Sequence, residues 1–380
     1  MSLFWNARTK NLSPYVPGEQ PKSARRFVKL NTNENPYPPS PKVMAAIKNA
    51  VDGELRLYPD PACTAFREAV AARYGVKLER VFAGNGSDEI LGFAFGAFFA
   101  SARDGDDGGG AVLFPDITYS FYPVYAKLWD VPYRAVPLRD DFSVALSDYA
   151  PPPGGDCGGV VIPNPNAPTG IALPLEEILA LAKRLEKRGR VLILDEAYVA
   201  FGGNAGSGVE SAVRYVDAHP NLLVVHTLSK SASLAGLRVG YAVGGEALIE
   251  GLCRIRDSFN SYTLDRLALA GGAAAVSDAA YYDEINRRVV DTRERVAKTL
   301  RGLGFTVLPS AANFVFAKPP GITGAEFFSA LRERGILVRH FSGERVADFL
   351  RVSIGTDDEM DVFLERCVEV MDGFAVRSGK

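Results

Sequence analysis

The segment with the most chemical potential ends in Lys230. It runs His226-Thr227-Leu228-Ser229-Lys230 and follows the apolar strand pattern of Leu222 to Val225. Partial burial there would lower the pKa of the amine and make it a better nucleophile toward an aldehyde. Arg238, eight residues on, could bind a phosphate as a planar fork. Most lysines are exposed, so this segment alone favours a surface lysine.

A carboxylate ends a second apolar strand pattern, in Leu192-Ile193-Leu194-Asp195-Glu196-Ala197-Tyr198. Burying the charge of Asp195 is unfavourable unless a cation pairs with it. A protonated pyridine nitrogen could be that cation, and enzymes that use pyridoxal 5'-phosphate (PLP) commonly place an acidic residue there. An Asp that caps the next helix explains this segment equally well.

Two turns complete the set. Ala83-Gly84-Asn85-Gly86-Ser87-Asp88-Glu89 follows a strand and opens a helix, so its free N–H groups could bind phosphate. A plain turn capped by Ser87 or Asp88 is the alternative. Asn164-Pro165-Asn166-Ala167-Pro168-Thr169-Gly170 is by itself only a rigid turn. Each signal is weak, but the order of the four segments fits one ligand, and strand ends are where open α/β sheets bind ligands.

The elements that must position these segments predict an α/β fold. Strands alternate with helices from about residue 42 to 265, which indicates a large domain with a mostly parallel sheet between helices. Because the four segments lie within it, this domain is the expected PLP-binding domain. Residues 1–41 are predicted to be an extended arm that joins the small domain. Residues 266–380 mix strands and helices, as in a smaller α+β domain. The Gly- and Pro-rich stretches at 104–110 and 151–155 are predicted turns.

Composition argues against several other classes. The chain has 43 basic and 45 acidic residues, so its charge gives no argument for a nucleic-acid or membrane surface. Its 3 histidines and 4 cysteines show no metal-ligand spacing. The longest apolar stretch, Ile90 to Ala100, falls short of the roughly 20 residues of a membrane span and is predicted to be a buried helix. We therefore expect a soluble cytoplasmic protein with reduced cysteines.

The order of the segments resembles the fold-type I (aspartate aminotransferase-like) PLP-dependent aminotransferases, and the details are similar to the histidinol-phosphate aminotransferase family. The likeness runs from about Leu12 to Thr356, nearly the whole chain. It is carried by Pro14–Gly18, Leu30–Tyr37, Tyr58–Pro61, Gly84–Glu89, Thr118–Ser120, Thr227–Tyr241 and Leu350–Val352.

The resemblance implies a role for each cofactor-binding residue. Lys230 would hold PLP as a Schiff base and later move the proton of the substrate Cα. Asp195 would pair with the pyridine nitrogen, and Tyr198 would hydrogen-bond the ring hydroxyl. Tyr119 would stack on the ring, although an ordinary core aromatic is its alternative. The residues expected around the phosphate are Gly86, Ser87, Asp88, Thr227, Ser229 and Arg238.

The resemblance also implies a homodimer with shared active sites, in which Tyr58 reaches the phosphate of the neighbouring subunit's cofactor. Arg351 would hold the substrate α-carboxylate. Tyr15 and Arg339 would lie near the distal group of the substrate, including its phosphate. For both arginines the alternative is a surface salt bridge.

One position departs from the family pattern. The family usually has Asn where this chain has Ala167, aimed at the ring hydroxyl. Asn166 is the nearest candidate to replace it as a cofactor ligand. Either Asn166 or a water substitutes, or Tyr198 makes that contact alone.

The activity implied is transamination between glutamate/2-oxoglutarate and imidazole acetol phosphate/histidinol phosphate, a step of histidine biosynthesis. Alternatives are an aromatic amino-acid aminotransferase, a PLP-dependent decarboxylase of a phosphorylated amino acid, and a non-catalytic ligand-binding module. The complete set of Asp195, Tyr198, Lys230 and Arg238 argues against the last. The sequence does not decide the preferred amino acceptor, because specificity depends on a few loop side chains.

Overall fold

The structure is a computed structural model that describes residues 3–15, 17–20, 27–101, 110–150, 157–202 and 209–377. Except for Gly110, the turns predicted at 104–110 and 151–155 lie outside these residues. The helices are α1 (Ala7–Asn11), α2 (Pro41–Ala50), α3 (Thr64–Tyr74), α4 (Gly86–Phe98), α5 (Tyr122–Leu128), α6 (Leu175–Glu186), α7 (Glu246–Phe259), α8 (Arg266–Ser277), α9 (Ala279–Gly302), α10 (Gly324–Glu333) and α11 (Asp357–Arg377). The strands are β1 (Val28–Lys29), β2 (Val81–Gly84), β3 (Val112–Pro115), β4 (Tyr133–Val136), β5 (Gly159–Pro163), β6 (Leu192–Asp195), β7 (Leu222–Thr227), β8 (Gly240–Gly244), β9 (Thr306–Val307), β10 (Phe314–Lys318), β11 (Ile336–Leu337), β12 (Arg339–His340) and β13 (Leu350–Ser353).

A seven-stranded sheet forms the centre of the molecule, in the order β2-β8-β7-β6-β5-β3-β4. All of its neighbouring pairs are parallel except those of β8, which runs antiparallel to β2 and β7. Every residue of β5, β6 and β7 is buried. Two apolar clusters, one containing Leu194 and the other Ile193, pack on opposite faces of this sheet. Its strands are therefore apolar runs, because both faces are covered.

The helix α6 shows why such sequences fold as they do. Its buried residues, Ile178, Leu181, Ala182 and Leu185, recur at intervals of three and four and so form one face. Acidic side chains occupy its first turn and basic side chains its last, which matches the helix dipole. Helices of this kind lie against the sheet and hold its strands in register.

The topology brings the chemical segments to one edge of the sheet. Strands β5, β6 and β7 are parallel, so Asn164, Asp195 and Lys230 follow neighbouring carboxyl ends. Strand β8 is antiparallel to both β2 and β7, so β2 runs in the same direction as β7. The turn after β2, at Gly86, therefore opens at that same edge.

A second, antiparallel sheet has the order β12-β13-β10-β9 and its own apolar cluster. The arm is tied to this region because β1 pairs in parallel with β11. Helix α8 packs instead against α2 and α3 of the first region. We propose, therefore, that the large domain extends past residue 265, to the beginning of α9.

The predicted fold class is confirmed. The apolar runs at 111–114, 159–162 and 191–194 predict strands, and β3, β5 and β6 lie within one residue of them. The predicted buried helix at 90–100 corresponds to α4. The pattern of Ile336–Arg339 predicts one strand, but the structure has two there, β11 and β12, which pair with β1 and β13 respectively. Among the described residues, no helix combines the length and the apolar character needed to cross a membrane.

Candidate active site

Lys230 lies at the end of the turn that follows β7. Its Nζ donates a hydrogen bond to the carbonyl of Thr32, 3.1 Å away, so the arm covers the amine. Burial lowers the pKa of Lys230 to about 8, and the positive charge of Arg351 acts in the same direction. An amine with this pKa can hold or release a proton near neutral pH.

Asp195 ends β6 and is 6 % exposed. Its carboxylate accepts hydrogen bonds from the Tyr122 hydroxyl at 2.9 Å and from the Ala197 amide at 3.2 Å. Burial raises the pKa of Asp195 to about 6. No lysine or arginine of the described residues forms an ion pair with it, so a cationic group on a ligand would further favour its charged form. The role of Tyr122 was not predicted.

The opposite end of the site is built for an anion. Helix α4 starts at Gly86, whose φ is +78°, and points its free N–H groups at this space. A Cβ at Gly86 would lie 2.6 Å from Nη2 of Arg238, so glycine lets that guanidinium approach the helix. Arg238 also donates to Ser229 Oγ at 3.2 Å.

Asp88 organises this end of the site. Its carboxylate accepts from Arg238 Nη2 at 3.0 Å and from the Tyr119 hydroxyl at 2.5 Å. The side chain thus fixes a guanidinium and an aromatic ring. Thr227 Oγ1 accepts from the Ser229 amide at 3.1 Å and closes the turn beside them.

Most of these residues line one cavity, which we call the Lys230 cavity. Its chemistry fits PLP, because it combines an anion-binding helix start, a buried carboxylate that lacks a cation, and an amine of lowered pKa. The cavity also contains the aromatic ring of Tyr119 and the phenol hydroxyl of Tyr198. The lining residues are Ser87, Asp88, Tyr119, Pro163, Pro165, Ala167, Asp195, Ala197, Tyr198, Thr227, Ser229, Lys230 and Arg238.

Asn166 is not brought to the Lys230 cavity. Its Nδ2 donates to the Ile117 carbonyl at 3.0 Å and to Thr169 Oγ1 at 3.1 Å, and its Oδ1 accepts from Thr118 at 3.2 Å. The amide is therefore committed to holding the turn, and Ala167 lines the cavity instead. Because its amide is used in these hydrogen bonds, the structure argues against the prediction that Asn166 is a cofactor ligand.

Arg351 and Arg339 lie directly opposite each other on β13 and β12. Like charges so placed are unfavourable unless an anion joins them. Burial, and then the charge of Arg339, lower the pKa of Arg351. Arg351 Nη2 donates to the Asn31 carbonyl at 3.0 Å, while its buried Nε has no partner. Neither arginine forms an ion pair with a described residue, contrary to the surface salt-bridge alternative.

The two remaining predicted residues differ in their placement. Tyr15 packs on Phe121 with ring centroids 4.4 Å apart, and lies close enough to Arg351 to influence its pKa. Tyr58 is 80 % exposed and stacks on Tyr262, away from the lining of this chain's own Lys230 cavity. Among the described residues no group of His, Cys, Asp or Glu is suited to hold a metal ion.

The comparisons with known proteins agree with this site. The family profile of aminotransferase class I and II matches residues 25–367. The chain belongs to the class I and II aminotransferases.

The chain is 50% identical over 366 residues to the histidinol-phosphate aminotransferase of Clostridium beijerinckii, which covers 96% of this chain and 97% of that protein. It is 53% identical over 365 residues to histidinol-phosphate aminotransferase 1 of Bordetella parapertussis, with 96% and 98% covered. The structure of histidinol-phosphate aminotransferase from Sinorhizobium meliloti in complex with PLP matches with a TM-score of 0.87 at 25% identity, covering 99% of each chain. The family resemblance inferred from the sequence is thereby confirmed.

A protein of lower sequence identity has the same fold. The aspartate aminotransferase of Thermus thermophilus matches with a TM-score of 0.80, covering 96% of this chain and 99% of that one, at 20% identity. At this identity the match bears on the fold alone, and it supports the aspartate aminotransferase-like architecture predicted from the sequence.

Proposed function

We propose that this chain is a PLP-dependent transaminase of histidine biosynthesis, which transfers an amino group between glutamate/2-oxoglutarate and imidazole acetol phosphate/histidinol phosphate. The observation that carries the proposal is the Lys230 cavity, which places Lys230, Asp195 and the start of α4 around one space. The identity of 50% to a histidinol-phosphate aminotransferase supports the choice of substrates.

Each residue of the site has its own role in the proposed reaction. When bound, PLP supplies the electron sink for the reaction. Asp195, which accepts a hydrogen bond from Tyr122, would pair with the ring nitrogen and keep it protonated. Lys230 would anchor the cofactor and move the proton at the substrate Cα, a task suited to an amine whose pKa is lowered by burial. Tyr119 would stack on the ring, and Tyr198 would hydrogen-bond its hydroxyl.

The arginine pair explains how one site accepts two different anions. Arg351 holds the α-carboxylate, and Arg339 with Tyr15 receives the distal group of the substrate. A planar guanidinium binds carboxylate and phosphate with similar geometry. The same residues can therefore take the dicarboxylate in one half-reaction and the phosphate ester in the other.

We also propose a homodimer in the cytoplasm. Large apolar side chains cluster on two neighbouring surface segments that include the stacked pair Tyr58 and Tyr262. Exposed apolar patches of this kind mark interaction surfaces. The exposed side chains are Leu55, Leu57, Tyr58, Phe259 and Tyr262. A second copy that covers them would receive Tyr58 at its own phosphate site. The four free cysteines suit a reducing compartment.

A half-reaction screen tests the substrate assignment. The PLP-loaded protein is first converted with glutamate and then mixed with imidazole acetol phosphate or phenylpyruvate, and the return of the cofactor spectrum is followed. We expect faster return with imidazole acetol phosphate. Preference for phenylpyruvate would favour an aromatic aminotransferase, and release of carbon dioxide from a phosphorylated amino acid would favour a decarboxylase.

A further inference from the structure

Asn33 lies outside the Lys230 cavity and makes hydrogen bonds with both its backbone and its side chain. It is 1 % exposed and its φ is +56°. Its side-chain Nδ2 donates to the Tyr198 hydroxyl at 3.0 Å. Its backbone amide donates to Ser353 Oγ at 2.8 Å, and its backbone carbonyl accepts from Asn313 Nδ2 at 2.9 Å. The arm is thus fixed between Tyr198 and the small-domain sheet.

The network determines which way the Asn33 amide points. A backbone N–H can only donate, so the Ser353 hydroxyl accepts from Asn33 N and donates its own proton to Asn33 Oδ1, 2.8 Å away. This leaves Nδ2 to face Tyr198. Because the Tyr198 oxygen accepts from Nδ2, its own proton is free to point elsewhere, toward the Lys230 cavity that it lines.

The proton of the Tyr198 hydroxyl matters because the neighbouring turn offers no other side-chain donor at this part of the cavity. Ala167 lies beside Tyr198 and has no polar side-chain atom. The amide of Asn166 is used inside its own turn. The turn that follows β5 therefore contributes no side-chain donor there, and the Tyr198 hydroxyl serves the polar edge of a bound ring without help from it.

We propose that Asn33 is a positioning residue, which directs the Tyr198 hydroxyl toward the ring hydroxyl of PLP and links that contact to strand β13. The inference rests on the proposed cofactor and activity. Ser353 lies two residues after Arg351 on β13, on the same face of the strand. Strand β13 thus carries both Arg351 and the Ser353 hydroxyl that orients the Asn33 amide toward Tyr198. Burial raises the pKa of Tyr198, while Arg351 and the Asn33 hydrogen bond oppose that rise.

The experiment is a double-mutant cycle on the PLP-loaded protein with Asn33→Gly, Tyr198→Phe and the double variant. Glycine tolerates the left-handed φ of residue 33. The measured quantities are the midpoint of the pH titration of the cofactor's visible absorption band and the Kd of the PLP-free chain for PLP. We expect Asn33→Gly to raise the midpoint by roughly half a pH unit and to weaken PLP binding about threefold to tenfold. This is the effect expected from the loss of one hydrogen bond. In the Tyr198→Phe background, Asn33→Gly should cause no further shift.

Two further variants keep the test decisive. Ser353→Ala removes the group that orients the Asn33 amide, so it should shift the midpoint in the same direction by a smaller amount, even if Asn33→Gly does not fold. Asn221→Ala is the matched control, because Asn221 donates two hydrogen bonds to the carbonyls of Ala182 and Arg190, far from Tyr198. It should leave the midpoint unchanged.

Added succinate, an inert dicarboxylate, probes the link to β13. It should move the midpoint of the parent protein and move that of Asn33→Gly less. Unchanged midpoints in both Asn33→Gly and Ser353→Ala, or shifts that add to that of Tyr198→Phe, would overturn the positioning role. A chain that binds no PLP would instead refute the proposed function itself, so the two failures are distinguishable.

Discussion

At the scale of single residues, the site contains two buried ionisable groups whose charged forms are disfavoured by burial. Asp195 has its pKa raised to about 6 from 3.8, and Lys230 has its pKa lowered to about 8 from 10.5, in both cases chiefly by burial. Near pH 7 both side chains are mostly charged, so each lowers the free energy of unfolding of the PLP-free chain. A cofactor that pairs with both removes these costs, which couples its binding to stability.

The first prediction concerns Lys230 in the PLP-free protein. The unfolded chain holds the lysine proton below about pH 10.5 and the folded chain only below about pH 8, so the unfolded state binds more protons between them. The free energy of unfolding should therefore rise as the pH increases from 8 to 10.5. We expect Lys230→Met to be more stable than the parent at pH 7, by about 1–3 kcal/mol, and this gap should shrink by pH 10.

Urea unfolding of both PLP-free proteins at pH 7 and pH 10 measures this effect. Lys187→Met is the control, because Lys187 is exposed at the end of α6 and the substitution there should change little. An equal stability of Lys230→Met and the parent at both pH values would contradict the argued cost of burying the amine.

The same residues show how far a sequence predicts a site. Lys230, Asp195 and Arg238 could be proposed because each follows a strand pattern and has a side chain that suits PLP. Tyr122 and Asn33 could not, because they contact residues 73 and 165 positions away in the chain. Asn166 was proposed from its neighbourhood, but the direction of its amide is decided by Ile117 and Thr169. Tertiary contacts, which no local pattern encodes, determine where a side chain points.

At the scale of elements, the apolar strands were predictable because their burial on both faces leaves continuous hydrophobic runs. Strand β4 was missed because three of its four residues are exposed. The separation of β11 from β12 was also missed, because it arises from their different partners, β1 and β13. Pairing between distant segments is therefore the information that the sequence patterns lacked.

The start of helix α4 gives the second prediction. Gly86→Ala places a Cβ 2.6 Å from Arg238 Nη2 and strains a φ of +78°. We expect the variant to bind PLP about tenfold more weakly or worse, since the displaced Arg238 loses a charge-assisted hydrogen bond. Titration of the PLP-free variant with PLP measures this loss.

Gly189→Ala separates backbone strain from the loss of the phosphate contact. Gly189 has a φ of +64°, but a Cβ there would meet nothing within 4 Å. This control should lower the free energy of unfolding by about 1 kcal/mol and leave the Kd for PLP unchanged. If Gly86→Ala bound PLP as tightly as Gly189→Ala, the assignment of Gly86 and Arg238 to the phosphate would fail.

At the scale of the whole molecule, the residues around Lys230 line a cavity, while Tyr58 of the same chain lies exposed on the surface. If the chain is a dimer with shared sites, Tyr58 of one subunit completes the site of the other. The third prediction is that Tyr58→Phe weakens PLP binding, and that a mixture with the inactive Lys230→Ala variant regains activity. In a hybrid dimer, the intact Lys230 then lies in a site served by the intact Tyr58 of the other subunit.

Mixing the two variants by unfolding and refolding them together tests this arrangement. Random pairing in a dimer leaves about a quarter of all sites with both an intact Lys230 and an intact Tyr58. We expect activity above that of the same amount of Tyr58→Phe refolded alone, at PLP concentrations that leave Tyr58→Phe unsaturated. Lys230→Ala refolded alone should be inactive. If Tyr58 acted within its own chain, each intact Lys230 from the Tyr58→Phe subunit would stay beside Phe, and mixing would restore nothing.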